Sequence, residues 1–459
     1  MIIRNRKLIE NGVSLEMLTN CISEHKKDLP RLKMLINYYN GEADIKKRVL
    51  DSPNQPNNKL VHNIPKYIVD IVTGYVAGNP ITFTGEGSNI INEINKSLDI
   101  HSHDTELQRD ISIYGVGFEL LYFNQGELEI ATASPLESFL VKDNTIKNNP
   151  LFGVRYFPNF GEDGKISDWS VVVYTDDKTI YYICSDVLNK SSYKVDYIEE
   201  NYFKKVPLVE YKNNKVGSGC YQNEINLINS YNILESDRIN NIEQFVNSLM
   251  IFKNVSLGSS EEEIANTMRM IERYKMIEID SDSGVEYLVK SLNQSEVEIL
   301  RQSIKEDIHE LTLVPCLTDK NFSVNASGVA MKYKLLGLEQ LAQTKESYFK
   351  KSLRLRLNLI EQALRIKGIV VNTKGIQAVF KRSLPANELE LSNVVSILRG
   401  TVSQETLLSL LPFVEDAQLE LSKVEEERKK DLIIQQESFN SFGFDVPEQK
   451  GDDVVDEEE

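Results

Sequence analysis

His101, His103 and Asp104 form the one place where this sequence gathers side chains able to hold a metal ion: two imidazoles, a residue apart, followed by a carboxylate. A metal centre needs three or four ligands converging from fixed elements, and only three other histidines are scattered through 459 residues. The segment therefore reads as a surface turn, and no metal is assigned. Other chemistry is equally thin. No GxxxxGK[ST] phosphate loop occurs, and GYVAG (Gly74 to Gly78) and GVG (Gly115 to Gly117) lack dinucleotide-site spacing. Neither a GxSxG elbow nor an HExxH helix is present. The acidic runs Glu261–Glu263 and Glu425–Glu427 read as solvated helix faces. No cofactor is expected, and nothing positive supports an enzyme. A metal-dependent nuclease built from scattered carboxylates stays open as an alternative, as does a structural adaptor without a pore.

Charge bears on partners. The net charge is −17, and the 45 residues from Glu415 onward hold 16 acidic and 5 basic residues, leaving only −6 for the first 414. The end of the chain, 441–459, reads as a disordered acidic tail. Basic clusters at Lys46-Lys47-Arg48, at Lys350-Lys351 with Arg354 and Arg356, and at Lys381-Arg382 are modest, and read as helix faces or subunit contacts. Such a chain does not suit tight static DNA binding, yet DNA could slide past it, because each cation–phosphate contact adds affinity and hence drag. Four scattered cysteines imply reduced thiols. No apolar run nears the ~18 residues of a membrane span, and the N-terminus lacks the apolar core of a signal peptide.

The elements that would position any site can be read from periodicity. Residues 14 to 50 carry a helical stripe (Leu29, Leu32, Leu35, Ile36, Tyr39), ended by the turn-rich SPNQPNNK; Ile64 to Val76 resumes it. From about 80 to 212, short β-branched and aromatic runs separated by NQG, GEDG and DD predict a β-rich module. A helix from Cys220 to about Phe252 and another from Ser295 to Leu313 flank a small α/β insert, so that the two helices can run antiparallel and hold the insert out as a stalk holds a head. Pro315 ends the second. A polar loop then passes through Asn325, Ser327 and Gly328 into a proline-free apolar-striped segment reaching about Gly368. Read as one helix it has about 40 residues and is roughly 60 Å long. GIVVN and IQAVFKRSL suggest a strand pair, and Asn387 to about Asn440 is helical. The fold class is α+β, multi-domain and predominantly helical.

Three segments in order, LKMLINYYNGEADIKKR (Leu32 to Arg48) with PNNKLVHNIPKYIVDIVTGYVAGNPITFTG (Pro56 to Gly85), TDKNFSVNASGVAMKYKLLGLE (Thr318 to Glu339) and TVSQETLLSLLPFVEDAQLELSKVEEE (Thr401 to Glu427), resemble the portal proteins of tailed double-stranded-DNA bacteriophages of the long non-contractile-tail branch. The resemblance covers almost the whole chain. It implies a homododecameric ring with wing, stem, clip and crown parts, at the portal vertex of the virion capsid, assembled in the host cytoplasm. The parts would be wing 1–219, stem helix 220–252, clip 253–290, second stem helix 291–314, tunnel loop 315–327, long helix and returning wing strands 328–386, and crown 387–440. The resemblance places Thr318, Asp319, Lys320, Asn321, Phe322 and Ser323 at the DNA gap. Glu298, Gln302, Lys305, Glu306 and Glu310 become candidates for lining the channel or pairing with a neighbouring subunit. Implied partners are the terminase large subunit, a head-completion or adaptor protein, the scaffold and major capsid proteins, and double-stranded DNA passing through; no membrane is involved.

Overall fold

A computed structural model describes residues 2–10, 12–50, 55–246, 249–253, 259–274, 284–288, 294–317, 332–382, 388–411, 414 and 417–441. Strand β1 (Ile2–Arg4) leads to α1 (Leu15–Tyr39), whose N-cap Ser14 accepts from the Met17 N–H. Helix α2 (Ile64–Ala77) carries Pro65 in its first turn, where the absent N–H costs nothing. Strand β2 (Thr82–Thr84), α3 (Ser88–Ser97) and α4 (Ile100–Tyr114) precede a run of strands: β3 (Val116–Asn124), β4 (Glu127–Ala133), β5 (Ser138–Asp143), β6 (Pro150–Phe160), β7 (Ile166–Tyr174), β8 (Lys178–Cys184), β9 (Lys194–Glu200) and β10 (Leu208–Lys212). Then come α5 (Ile225–Val246), β11 (Leu249–Lys253), α6 (Glu261–Tyr274), β12 (Gly284–Leu288), α7 (Gln294–Thr312), α8 (Leu336–Ile366), β13 (Gln377–Val379), α9 (Glu388–Leu398), α10 (Gln404–Ser409) and α11 (Ala417–Ser441).

The fold is α+β. One sheet has the order β1-β5-β6-β7-β8-β9, a second β10-β3-β4, and two small sheets pair β11 with β12 and β13 with β2. The alternating runs VRYF and WSVVVYT become the centre of the first sheet, with Val154, Val171 and Val173 buried against α1 through Leu18, Cys21 and Ile22. The helical stripe Leu32, Leu35 and Tyr38 packs with α2, α5, α7 and the start of α8 into a helical core. Helix α8 continues into a further core with α4, β3 and β10.

Several element readings are corrected. The region 80–212 holds two helices, α3 and α4, before its strands begin, because Ile91, Leu107 and Ile111 bury a helical stripe under α8. His101, His103 and Asp104 consequently lie on a helix and not on a surface turn. The first stalk helix stops at Val246, and Leu249–Lys253 is a strand paired antiparallel with Gly284–Leu288. The long helix α8 has 31 residues starting at Leu336, after a break at Leu335 (φ −92°, ψ 0°). GIVVN is not a strand; β13 pairs instead with the distant β2. The final helical segment is broken into α9, α10 and α11. The acidic tail from Phe442 lies outside the described residues.

Two glycines let the β module meet the stalk. Gly115, at φ +82°, ends α4, and a Cβ there would sit 2.1 Å from the Gly217 carbonyl oxygen; one on Gly219 would sit 2.2 Å from that of Ile113. The close approach permits hydrogen bonds from the Cys220 N–H to the Ser112 carbonyl (2.7 Å) and from the Asn213 N–H to that of Gly115 (3.0 Å). Backbone cannot give way as a side chain can. Gly219→Ala is expected to cost about 2–3 kcal/mol, read as a lowered melting temperature of the purified protein.

Candidate channel and assembly site

The stalk is two packed helices locked by charge. Tyr231 on α5 accepts from Arg301 on α7 (3.0 Å), while Arg238, further along α5, reaches Glu298, further back along α7, at 2.8 Å; the helices are therefore antiparallel. Arg301 also binds Glu298 (2.6 Å) and lies 3.6 Å from Glu235. At the stalk base, Ile308 and Ile304 enter the helical core. On the outer surface Ile299 (69% exposed), Leu300 (52%), Leu311 (61%), Ile233 (44%) and Ile242 (51%) are left uncovered.

A feature invisible to periodicity fixes α5 to the N-terminal part of the chain. Asn232, Ser236 and Asn240 repeat at four-residue steps on one buried face. Their side-chain oxygens accept the backbone N–H groups of His62 (2.9 Å), Leu60 (3.0 Å) and Asn58 (2.8 Å) in turn. The register works because four helical residues rise about 6.0 Å and two extended residues span about 6.6 Å. The segment PNNKLVHN thus lies on α5 as an extra strand would, donating to side chains rather than to backbone. Arg48 completes the seam with a 2.7 Å bond to Asp237.

Where α7 ends, the chain is pinned. His309 Nδ1 pairs with the Val314 carbonyl (2.8 Å), and burial lowers the imidazole pKa against the raising effect of that bond. Tyr67 on α2 donates its hydroxyl to the Pro315 carbonyl (2.9 Å) and accepts the Leu317 N–H (2.8 Å). On the far side of residues 318–331, Gly337 packs directly against Leu313, and Leu338 is buried in the helical core. Leu317 and Gly337, which flank it in sequence, are thus both held near the C-terminal end of α7. Thr318, Asp319, Lys320, Asn321, Phe322 and Ser323 themselves lie outside the described residues. Helix α8 is clamped just beyond: Tyr75 donates to Glu339 (2.7 Å), and Arg382 binds Glu339 (2.9 Å) and Glu346 (2.8 Å).

Along α8 two fully buried cations face α4. Arg356 binds Asp104 and Glu119, each at 2.6 Å, and Glu119 also receives His103 Nε2 (3.0 Å) and the Tyr211 hydroxyl (2.7 Å). Burial alone would raise the Glu119 carboxyl; the Arg356 charge and the His103 bond outweigh it and bring it to about 2. Three turns earlier, Lys345 Nζ meets Ser112 Oγ (2.9 Å) and Asn213 Oδ1 (2.5 Å), with Cys220 Sγ at 3.9 Å, and burial lowers its pKa. The HSHD segment is thus part of a structural ion network. No cluster of three or more His, Cys, Asp or Glu suited to a metal occurs among the described residues.

Of the stalk residues singled out from sequence, Glu298 is spent on Arg238 and Arg301 within the chain. Gln302 donates to Glu306 at 2.7 Å. Glu306 and Glu310 are exposed, and Lys305 is half-buried. The basic clusters are largely paired internally: Lys46 with Glu42, Lys47 with Asp44, Lys350 with Glu346. No described helix is long and apolar enough to cross a membrane.

The described residues thus form a two-helix stalk that carries a small β insert and leaves several large apolar side chains uncovered. The family model "Phage portal protein, SPP1 Gp6-like" matches residues 18–432, and the chain belongs to that family of structural proteins. It is similar to the portal protein of Bacillus phage SPP1, 25% identical over 475 residues, covering 96% of this chain and 91% of that one. The portal protein of Clostridium phage phiCD119 is 22% identical, covering 88% and 94%. Among solved structures, a chain from the neck of an empty GTA particle computed with C6 symmetry aligns with a TM-score of 0.42 at 12% identity, covering 76% of this chain and 90% of that one.

Proposed function

We propose that twelve copies of this chain close into a ring at one capsid vertex and form the channel through which double-stranded DNA is packaged and ejected. The observation that carries this reading is the stalk: Ile299, Leu300, Leu311, Ile233 and Ile242 stay exposed although the rest of α5 and α7 is tied together by ion pairs. Large apolar side chains left exposed along a stalk are candidates for burial against another copy, and neighbouring stalks in a ring would cover them. The β11–β12 sheet with α6, carried at the stalk's far end, is the part placed to dock the terminase large subunit during packaging and a head-completion or adaptor protein afterward. The β module and crown helices would face the scaffold and major capsid proteins. The protein is then a virion component that assembles in the host cytoplasm and performs no catalysis. Negative-stain microscopy of the purified protein tests the reading: particles with a central hole are expected, and monomers at high concentration would overturn it.

The tunnel loop, 315–327, would lie at the DNA gap; in support, its first residues are held at the base of the stalk, where Tyr67 binds Pro315 and Leu317. One Lys320 per subunit makes a ring of positive charge facing a polymer with one charge per about 1.7 Å. Lys320→Glu is expected to slow packaging severalfold without preventing ring formation. An unchanged packaging rate would remove Lys320 from DNA contact.

A further inference from the structure

The two free edges of the six-stranded sheet carry opposite chemistry. Strand β9 is exposed along its whole length, and no strand pairs its outer side among the described residues. Beside it a cleft of about 770 Å³ opens toward the second sheet, lined by Asp196, Tyr197, Glu199, Glu200 and Tyr202. Tyr197 stacks on Tyr181 at 3.9 Å and 15°, and Tyr181 donates to Glu199 (3.0 Å), so the aromatic floor and one carboxylate are preset. The cation inside the cleft, Arg155, lies over the Phe157 ring and 3.8 Å from Glu137. Lys194 alone offsets the three acids along the strand, and Tyr197 (46%) and Tyr202 (55%) remain uncovered.

At the opposite edge, β1 runs into the 3₁₀ turn Arg6–Ile9. Arg4 is committed to Glu24 (2.6 Å), but Arg6, Lys7 and Leu8 are exposed, Leu8 by 59%. Two cations and an apolar side chain thus project from one edge, while three carboxylates and two aromatic rings line the other. The patches are five strand spacings apart, about 24 Å, so one copy cannot satisfy both by itself. In a ring every interface is heterologous, so the acidic edge of one copy can face the basic edge of the next at each contact.

We propose that the cleft beside β9 of one copy receives the Arg6-Lys7-Leu8 turn of the next, giving a head-to-tail contact between wings. Leu8 would enter between Tyr197 and Tyr202, and Arg6 and Lys7 would meet Asp196, Glu199 and Glu200. Repeated in one rotational sense, such a heterologous contact closes a ring or propagates as a filament. This inference rests on the ring reading above and adds a second contact belt to that of the stalk.

The test pairs Leu8→Cys with Tyr202→Cys in the full-length protein, with each single variant as the control for the native thiols. Oxidation with copper phenanthroline should give a ladder of multimers on a non-reducing gel from the double variant only. Adding Glu199→Lys and Glu200→Lys should weaken the ladder about tenfold through like-charge repulsion, and adding Arg6→Glu and Lys7→Glu to that background should restore it. Rings seen by microscopy without a ladder would overturn the wing contact and leave the ring reading standing. A ladder indifferent to charge reversal would also overturn it, and a preparation with neither rings nor ladder would sink both readings.

Discussion

Replacing Arg356 by alanine is expected to cost about 3–5 kcal/mol of folding stability, the penalty for leaving a buried charge without its partner. Asp104 and Glu119 would both remain, each essentially inaccessible to water, with only His103 and Tyr211 to share between them. The loss is measured as a lowered denaturation midpoint in urea. Arg356→Met with Glu119→Leu and Asp104→Leu should recover much of it, since matched apolar groups carry no desolvation cost. A pH signature separates this network from ordinary packing. The Glu119 carboxyl is depressed from 4.5 to about 2 in the folded chain. A depressed pKa gives stability that is fully present above the unfolded value and lost as pH falls toward the folded one. The wild-type chain should therefore lose that contribution between about pH 4.5 and pH 2, and Glu119→Gln should remove that share of the slope. A Glu119→Gln variant with an unaltered acid-denaturation curve would show that the Glu119 carboxyl titrates alike in the folded and unfolded chain, and would overturn the depressed value.

How much of this was legible beforehand depends on which kind of signal each element carries. The stalk helix α7 and its stripe Val297, Leu300, Ile304, Ile308 and Leu311 are regular, and Pro315 bounds them, so the period located α7 within a residue or two. Helices α3 and α4 lacked such clarity because polar residues occupy their buried faces: Asn95, Asp104, Gln108 and Ser112 are all buried. Hydrophobic periodicity cannot count a buried aspartate whose arginine lies 252 residues away. Single-residue reasoning likewise took His103 and Asp104 for a turn, since the ion network exists only once α8 is laid on α4. The Asn232, Ser236 and Asn240 ladder was hidden for a similar reason. Its acceptors sit at a helical period but serve an extended segment whose own pattern is unremarkably polar. The break at Leu335 has no such account: the segment before it is apolar-striped and free of proline, and local sequence favours one continuous helix.

Ile299→Glu combined with Leu311→Glu should abolish ring particles while leaving the subunit folded. The argument turns on what these side chains already do in the single chain. Ile299 is 69% and Leu311 61% exposed, so the isolated subunit gains little from them, and surface changes of this kind usually stay within about 0.5 kcal/mol. In a ring the balance reverses. Each apolar side chain buried between neighbouring stalks is worth about 1.5–3 kcal/mol, and a carboxylate placed there would also have to shed its water. Every interface in a closed ring carries the same lesion, so the penalty repeats around the circle rather than being paid at one site. The expected result is therefore a melting curve close to wild type together with a shift from ring to monomer by light scattering after gel filtration. Arg301→Ala offers the contrast: it cuts the pairs with Glu298 and Glu235 and the bond to Tyr231 inside the stalk, and should lower the melting temperature first. If the double glutamate variant instead unfolds, α5 and α7 depend on those side chains within one chain. If it still forms rings, Ile299 and Leu311 are not where neighbouring copies meet.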